Sequence, residues 1–318
     1  MAVERGTLNG MDSPLHRFAA AHDGAITVAA ARGLGYDWAR FRSLVRTEGW
    51  VRVAPSAYAL PDSAIALRTR VRAEQLRHEA VVASHRTAAA LHSGDVLVPG
   101  FDFTVDGAGR YDVPGGTLHR WALDDGDVVR LDGVRLTSPT RTATDLLRAL
   151  PRHEAVIAVD GLLRSKAVTL DAVADRLERL AGRRYVRSRA WPSFARLDPR
   201  SGSVAESQAR LVLHGAGLYP RTQVVLVDTT GRRARVDFWF PAGVAVEVEG
   251  YAFHSSREQH QADIARFNDL GRVPGVTVLR FSWADVFHRP GALVSATRAA
   301  LTSATATGER RLTVRGNW

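Results

Sequence analysis

Residues 234–250 read Ala-Arg-Val-Asp-Phe-Trp-Phe-Pro-Ala-Gly-Val-Ala-Val-Glu-Val-Glu-Gly, and this stretch decides the fold of the C-terminal part of the chain. Apolar residues alternate with other residues on both sides of Pro241–Gly243, which is typical of two β-strands joined by a short loop. If Pro241–Gly243 is the whole loop, positions equidistant from Ala242 face each other. Phe238 is then predicted to face Val246.

The other face of this hairpin is predicted to carry three carboxylates. Asp237 lies opposite Glu247, with Cβ atoms about 4.5–5.5 Å apart, and Glu249 lies two residues further along the same face. Because carboxylates repel one another and are costly to bury unpaired, a hard cation such as Mg²⁺ or Mn²⁺ would stabilise them. The alternative is a solvated face whose carboxylates pair with arginines, for instance Arg235 or Arg280.

The segment around the hairpin alternates between helical and strand patterns. The sequence predicts helices over Ser203–Gly215, 257–272 and Pro290–Ser303, and strands over Thr222–Val227, Ala234–Phe240, Val244–Glu249 and Val276–Phe281.

The spacing of Glu206, Asp237, Glu247 and Glu249 along the chain resembles that of the PD-(D/E)xK nuclease superfamily, which includes restriction endonucleases. The longer pattern is similar to an uncharacterised branch related to very-short-patch repair endonucleases. The resemblance implies a restriction-endonuclease-like α/β domain over 201–305, with a central mixed sheet flanked by helices. It rests on Glu206, Arg-Val-Asp237-Phe, Val-Glu247-Val-Glu249-Gly-Tyr-x-x-His254, Asp263-x-x-Arg266 and Val-Leu-Arg280-Phe-Ser-Trp283.

The resemblance also implies roles for individual residues. Asp237 and Glu247 would be metal ligands, and Glu206 would be an auxiliary acid on the first helix. His254 would act as general base or orient the attacking water, while the metal polarises the phosphodiester. The two arginines of the pattern, Arg266 and Arg280, would stabilise the negative charge of the phosphate or pair with carboxylates.

The chain departs from the superfamily pattern where the motif lysine is expected. Glu249 occupies that position, and Lys166 is the only lysine of the chain. This leaves open a two-metal site or a descendant that binds nucleic acid without cleaving it. Glu206 has a structural alternative as well, because Ser203-Val-Ala-Glu206 is a capping box in which Glu206 would satisfy an amide at the helix start.

The N-terminal segment, 10–75, shows three short helical patterns followed by a β-hairpin, the order of a winged helix-turn-helix. Asp37 is predicted to cap the third helix, Trp38–Arg46, which would be the recognition helix. Arginines on this helix and on the hairpin can contact phosphates or read guanine edges, unless the helix is simply a solvated arginine-rich one. The predicted DNA-binding residues are Arg40, Arg42, Arg46 and Arg52.

Residues 10–165 resemble the abortive-infection type IV antitoxin architecture. That family implies a winged-helix reader of DNA, often repressing its own operon, and a cognate toxin or another defence-operon protein as a partner. The resemblance rests on Gly24-Ala-Ile-Thr27, Gly49-Trp-Val-Arg52-Val, Val82-Ala-Ser84-His85-Arg-Thr-Ala-Ala-Ala-Leu91 and Leu136-Thr-Ser-Pro139-Thr-Arg141.

The middle segment, 76–195, has mixed helical and strand patterns and no catalytic signal. Its histidines lack the spacing of metal ligands, so structural roles are predicted for His85, His92 and His119. The stretch Gly182–Arg200, rich in arginine and proline, is predicted to be a linker.

The composition favours a polyanionic partner. The chain has 318 residues and a net charge of +10, with a pI near 10.9, although the charge is spread evenly and its near-exclusive arginine content also fits a GC-rich bacterial genome. With no cysteine, disulfides, thiolate zinc sites and cysteine catalysis are excluded. No apolar run predicts a signal peptide or membrane span, so a cytoplasmic protein without membrane contact is expected.

Together these patterns predict a multidomain α/β protein that is a metal-dependent DNA endonuclease, targeted by a winged helix and acting in phage defence or DNA repair. The main alternative is a non-catalytic DNA-binding regulator or antitoxin with a degenerate nuclease fold. A third interpretation is a protein–protein module within a defence operon.

Overall fold

The computed structural model describes residues 13–92, 94–180, 182, 184, 186–227, 233–249 and 275–306. Within these ranges three β-sheets and the surrounding helices make the mixed α/β fold that the sequence predicts. The chain divides into two compact units, Met1–Leu146 and Leu147–Trp318. Because this boundary falls inside the predicted middle segment, the division into three segments stays a prediction. No helix of the described ranges combines the length and apolarity needed to cross a membrane.

The first unit begins with short helices that start at capping side chains. Ser13, Thr27 and Asp37 each accept a hydrogen bond from an amide in the first turn of the helix that follows, which satisfies one otherwise unpaired donor. The predicted order of three helices and a hairpin is present. The elements are α1 (Pro14–Ala20), β1 (Ala25–Thr27), α2 (Val28–Gly33), α3 (Trp38–Thr47), β2 (Val51–Ala54) and β3 (Ala57–Ala59).

The strand β1 is an addition that the sequence did not predict. It pairs antiparallel with β3, so that the sheet has the order β1-β3-β2. Three helices and this sheet enclose a small core in which the ring of Phe41 packs edge-on against Tyr58, with ring centroids 5.4 Å apart. The core residues are Leu15, Ala19, Ile26, Ala31, Tyr36, Phe41 and Trp50.

A second sheet follows in the same unit, with the order β6-β5-β4-β8-β7. Two of its strands, β6 and β7, and the helix α4 were not predicted, because their polar and half-exposed residues do not alternate clearly with apolar ones. Its elements are α4 (Leu67–Arg77), β4 (Val82–Ala83), α5 (His85–Leu91), β5 (Asp102–Val105), β6 (Thr117–Arg120), β7 (Val128–Leu131), β8 (Val134–Thr137) and α6 (Pro139–Ala149).

The histidines of this region take part in packing, as the sequence predicts. The rings of His85 and His119 stack with their centroids 3.7 Å apart. The Nε2 atom of His92 lies 2.8 Å from the carbonyl oxygen of Thr137. These contacts tie α5 to the sheet beneath it.

The second unit opens with helices, and here the predicted linker is wrong. Residues 186–194 fold into a π-helical turn, Val186–Ala190, and a short α-helix. Val186 and Ala190 are fully buried. Because arginines surround them in the sequence, no apolar pattern predicts this folded segment. The helices are α7 (Arg152–Arg164), α8 (Leu170–Arg179), α9 (Trp191–Phe194) and α10 (Val204–Gly215).

A four-stranded mixed sheet forms the rest of this unit. Its order is β12-β11-β10-β9, with β11 and β12 parallel and the other pairs antiparallel. The helix predicted over 257–272 lies outside the described residues, and the short α11 was not predicted. The elements are β9 (Arg221–Val227), β10 (Arg233–Phe240), β11 (Val244–Val248), β12 (Thr277–Phe281), α11 (Trp283–His288) and α12 (Pro290–Ala306).

The hairpin of β10 and β11 has the predicted loop and register. Phe238 pairs with Val246 across the hairpin. Gly243 closes the loop at a φ of 88°, a conformation that favours glycine, and its amide donates to Phe240 O at 3.0 Å. A Cβ at this position would lie 2.8 Å from the Gly275 carbonyl oxygen, so glycine is needed for space as well.

The helices α10, α11 and α12 cover one face of this sheet. Their buried residues pack against alternate side chains of β10 and β11, as the two-residue period of a strand requires. This core contains Ala205, Ala209, Leu213, Phe238, Phe240, Val244, Val246, Val248, Phe281, Val286 and Leu293.

A buried ion pair holds α10 against α7. The Nη2 atom of Arg210 donates to Asp160 Oδ2 at 2.7 Å, and the two side chains are 3% and 0% exposed. Ser207 Oγ donates to the same oxygen at 2.7 Å, and the Asp198 amide donates to Asp160 Oδ1 at 2.9 Å. Burial nevertheless raises the pKa of Asp160 to about 6, against the opposing attraction of Arg210.

Removing this carboxylate should destabilise the protein strongly. Asp160→Ala leaves Arg210 buried without its charge partner, and we expect the free energy of unfolding to fall by about 3–5 kcal/mol. Urea unfolding followed by circular dichroism measures the change. Asp175→Ala, an exposed position on α8, is the matched control and should change stability by no more than about 0.5 kcal/mol. Equal losses in the two variants would contradict the structural role of the pair.

Candidate active site

Two hydrogen bonds from backbone amides to carboxylates link the strands that carry Asp237 and Glu247. The Asp237 amide donates to Glu247 Oε1 at 3.1 Å, and the Val248 amide donates to Asp237 Oδ2 at 2.9 Å. The regular backbone pairing of the hairpin extends only as far as Phe238 and Val246. Beyond that pair, carboxylates accept the amide hydrogens that carbonyl groups accept in a regular ladder. The two predicted acids therefore lie close together, and their carboxylates replace backbone carbonyl groups as hydrogen-bond acceptors.

Gln223 brings a third acid into this group. Its Nε2 atom donates to Asp237 Oδ1 at 3.1 Å and to Glu206 Oε2 at 2.7 Å. Gln223 has a φ of 52°, a left-handed conformation that is uncommon for a residue with a side chain. We call Glu206, Gln223, Asp237 and Glu247 the acid cluster.

Glu206 lies at the start of α10 and contacts both the helix end and Gln223. Ser203 caps α10 by accepting from the Glu206 amide at 3.1 Å. The Glu206 carboxylate accepts from the Gly202 amide at 2.7 Å, one residue before the position that a standard capping box uses. The same carboxylate oxygen also receives the Gln223 bond, so capping and membership of the acid cluster are compatible.

The electrostatics of the acid cluster disfavour a full set of negative charges. Burial raises the pKa of Glu206, and the negative charge of Asp237 raises it further. Asp237 itself is only 7% exposed. A divalent cation would lower the free energy of such a group of carboxylates, because its charge offsets their mutual repulsion.

The donor atoms of the acid cluster can be compared with the ligands that a metal ion requires. Among the described residues, no group of three or more histidine, aspartate or glutamate side chains is arranged to hold a metal ion. Magnesium typically binds proteins through one or two carboxylates and completes its shell with water and substrate phosphates. Asp237 and Glu247 provide two carboxylates, which is the number and type of protein ligand that magnesium commonly uses.

Glu249 forms an ion pair with an arginine of the neighbouring strand β12. Its Oε1 atom accepts from Arg280 Nη2 at 2.7 Å, and the two side chains are 56% and 39% exposed. Its backbone amide donates to Phe281 O at 2.8 Å. The arginine partner considered in the sequence is therefore present for Glu249, whose role as a metal ligand stays a prediction. The predicted residues His254 and Arg266 lie outside the described residues.

The predicted DNA-binding arginines of the first unit lie on its surface. Arg42 and Arg46 are exposed on α3, where Phe41 is buried, and Arg52 is exposed on β2. The guanidinium of Arg40 lies over the ring of Tyr36, 4.6 Å from its centroid. With the residues that the structure describes, these four arginines make no ion pair, so their charges are available to a polyanion.

Replacing Glu206 with neutral glutamine should stabilise the protein at pH values above the ordinary pKa of glutamate. Both hydrogen bonds go to one oxygen, so the amide oxygen of Glu206→Gln can accept both. A raised folded-state pKa means that stability is lost as the pH rises through it. We expect the variant to unfold at a higher temperature than the wild type at pH 8, with a difference that shrinks toward pH 4.5.

Thermal unfolding measured between these two pH values tests this expectation. Glu178→Gln, an exposed glutamate of α8, serves as the control and should show no such trend. A lower unfolding temperature for Glu206→Gln at pH 8 would show that the ionised form is favoured in the fold.

Comparisons with known proteins yield few matches. No family model matches the chain. Two Mycobacterium tuberculosis proteins, "Uncharacterized protein MT2308" (strain CDC 1551 / Oshkosh) and "Uncharacterized protein Rv2248" (strain ATCC 25618 / H37Rv), are each 32% identical to it over 169 residues. The match spans 52% of this chain and 61% of each relative, less than two thirds of their length. The crystal structure of the RV2827C protein from Mycobacterium tuberculosis aligns over 69% of this chain and 84% of that chain, with 18% identity and a TM-score of 0.41.

Proposed function

We propose that the chain is a metal-dependent DNA endonuclease, in which residues 201–305 form a restriction-endonuclease-like domain. The observation that supports the proposal is that Asp237 and Glu247 lie together on adjacent strands, where the Asp237 amide donates to Glu247 and the Val248 amide donates to Asp237. Gln223 adds Glu206 from the first helix of the domain. An acid on a helix and two acids on central strands are the arrangement that the resemblance to PD-(D/E)xK nucleases implies.

The residues of the acid cluster have separate roles in the proposed hydrolysis. Asp237 and Glu247 hold Mg²⁺ or Mn²⁺, which supplies Lewis-acid polarisation of the phosphodiester when bound. Gln223 fixes the Glu206 carboxylate, whose pKa is raised by burial and by the charge of Asp237, which favours its accepting a proton from water. By the resemblance, His254 would act as the general base or orient the attacking water.

Arg280 offers a substitute for the missing lysine. The superfamily's lysine position holds Glu249, and Glu249 is paired with the guanidinium of Arg280. We infer that Arg280 supplies positive charge near the phosphate, as the lysine would. A guanidinium does not give up its proton at neutral pH, so it can stabilise charge on the phosphate but cannot act as the base.

Cleavage of plasmid DNA tests the proposed activity. We expect the wild-type protein to nick or cut supercoiled plasmid with Mg²⁺ or Mn²⁺ and to be inactive with EDTA. Asp237→Asn and Glu247→Gln should each lower the rate roughly a hundredfold or more, since metal-assisted charge stabilisation contributes several kcal/mol.

The control for this experiment is again Glu178→Gln, an isosteric change of the same kind on α8 that should cleave at the wild-type rate. Cleavage by Asp237→Asn as fast as by the wild type would contradict the proposed site. Absence of cleavage by any form, on plasmid, linear and single-stranded DNA, would favour a non-catalytic protein.

The exposed arginines of α3 support a second function, DNA binding by the first unit. We propose that 10–75 is a winged helix-turn-helix with α3 as its recognition helix. If the acid cluster is inactive, the protein is a DNA-binding regulator or an antitoxin whose partner is a cognate toxin. In either case the arginines would place the chain on duplex DNA.

Substitution of these arginines should weaken duplex binding through lost phosphate contacts. Arg42→Ala combined with Arg46→Ala is expected to lower affinity for duplex DNA and to reduce the slope of log affinity against log salt by about two. Fluorescence anisotropy at several salt concentrations measures both quantities. Arg179→Ala with Arg289→Ala, exposed arginines of the second unit, is the matched control. Unchanged affinity in the α3 variant would rule out this helix as the DNA contact.

A further inference from the structure

A cavity of about 420 Å³ opens beside α10 in the second unit. Three arginines line it, together with His214, Asp198 and Thr222. The only acid in this lining, Asp198, is already bonded by Arg200 Nε at 3.1 Å and by Thr222 Oγ1 at 2.6 Å. The walls are therefore basic, which suits an anionic ligand.

Two of the arginines keep donor capacity. Arg196 donates to the Pro192 carbonyl oxygen at 3.0 Å and makes no ion pair with any residue that the structure describes. Arg210 is 3% exposed, pairs with Asp160 through Nη2 and donates to the Arg196 carbonyl oxygen through Nη1, so that only its buried Nε atom has no hydrogen-bond partner among the described residues. A phosphate oxygen would provide acceptors of the kind these groups require.

An exposed aromatic ring adjoins this cavity. Tyr219 is 72% exposed, and its ring centroid lies 5.1 Å from that of His214. The next residue, Pro220, lines the cavity. An exposed aromatic beside a basic groove is the combination with which proteins bind single-stranded nucleic acid, because an unpaired base stacks on the ring while the groove holds the backbone.

The cavity is adjacent to the acid cluster along the same elements. Glu206, Arg210 and His214 are spaced four residues apart on α10, so they share one face of the helix and rise by about 6 Å at each step. On β9, Thr222 of the cavity directly precedes Gln223 of the acid cluster. The spacing along α10 would let a strand bound at the acid cluster continue toward the cavity.

We propose that the cavity and Tyr219 form a subsite for one unpaired nucleotide of a DNA strand. The phosphate binds at Arg196 and Arg210, and the base stacks on Tyr219. The inference rests on the proposed function, since the bound strand is the substrate of the acid cluster. It identifies that substrate as single-stranded or locally unpaired DNA.

Binding of a fluorescent single-stranded oligothymidylate to the full chain tests the subsite without requiring cleavage. The Asp237→Asn background prevents loss of the probe. We expect Tyr219→Ala to weaken binding roughly 5- to 100-fold, since stacking on an aromatic side chain is lost, and Tyr219→Phe to bind within about twofold of the parent because the ring remains. Arg196→Gln should lower the salt slope by about one.

Two controls separate this subsite from the rest of the protein. Arg289→Gln, an exposed arginine of the same unit outside the cavity, should leave single-strand binding unchanged. Tyr219→Ala should leave duplex binding unchanged, because α3 contacts the duplex. In the wild-type protein, a strand containing 5-iodouracil should cross-link to Tyr219 on irradiation, as located by mass spectrometry.

The outcomes distinguish this inference from the nuclease proposal. Single-strand binding by Tyr219→Ala equal to that of Tyr219→Phe, or equal losses for single strand and duplex, would overturn the subsite even if plasmid is cleaved. Loss of single-strand binding in Tyr219→Ala with cross-linking at Tyr219 would support the subsite even if no cleavage occurs.

Discussion

The second unit depends on one buried ion pair, between Asp160 of α7 and Arg210 of α10. This pair and the bonds from Ser207 and the Asp198 amide fix how α10 lies against the segment that precedes it. Both the acid cluster and the cavity use α10, because Glu206 belongs to the first and Arg210 to the second. A buried pair adds little net stability but is costly to break, so it acts chiefly to hold one arrangement of the helix.

The acid cluster shows how a functional group can be built from the hydrogen-bonding needs of a sheet. Where the hairpin pairing ends, the amides of Asp237 and Val248 still need acceptors, and the carboxylates of Glu247 and Asp237 provide them. The arrangement positions the acids, but it also concentrates negative charge, as the raised pKa of Glu206 indicates. Proteins commonly accept such local instability where a ligand later relieves it.

The hairpin and the proximity of Asp237 and Glu247 could be predicted from the sequence, because both follow from alternation around a glycine-ended loop. Gln223 could not be predicted in the same way. Its importance depends on the register of β9 against β10 and on its left-handed backbone, neither of which leaves a local pattern. The partner of Glu249 depends on the parallel pairing of β11 with β12, a contact between distant segments. The folded segment around Val186 could not be predicted, because its many arginines obscure the apolar pattern of the sequence.

The left-handed conformation of Gln223 has a consequence for how the protein behaves at high concentration. In the described sheet β9 is the outermost strand and pairs only with β10, so its free side could serve as a template for a strand of another molecule. A residue with positive φ interrupts the regular row of amide and carbonyl groups that such pairing needs. The same residue that joins two acids would thus disfavour pairing of this strand with the edge of another molecule.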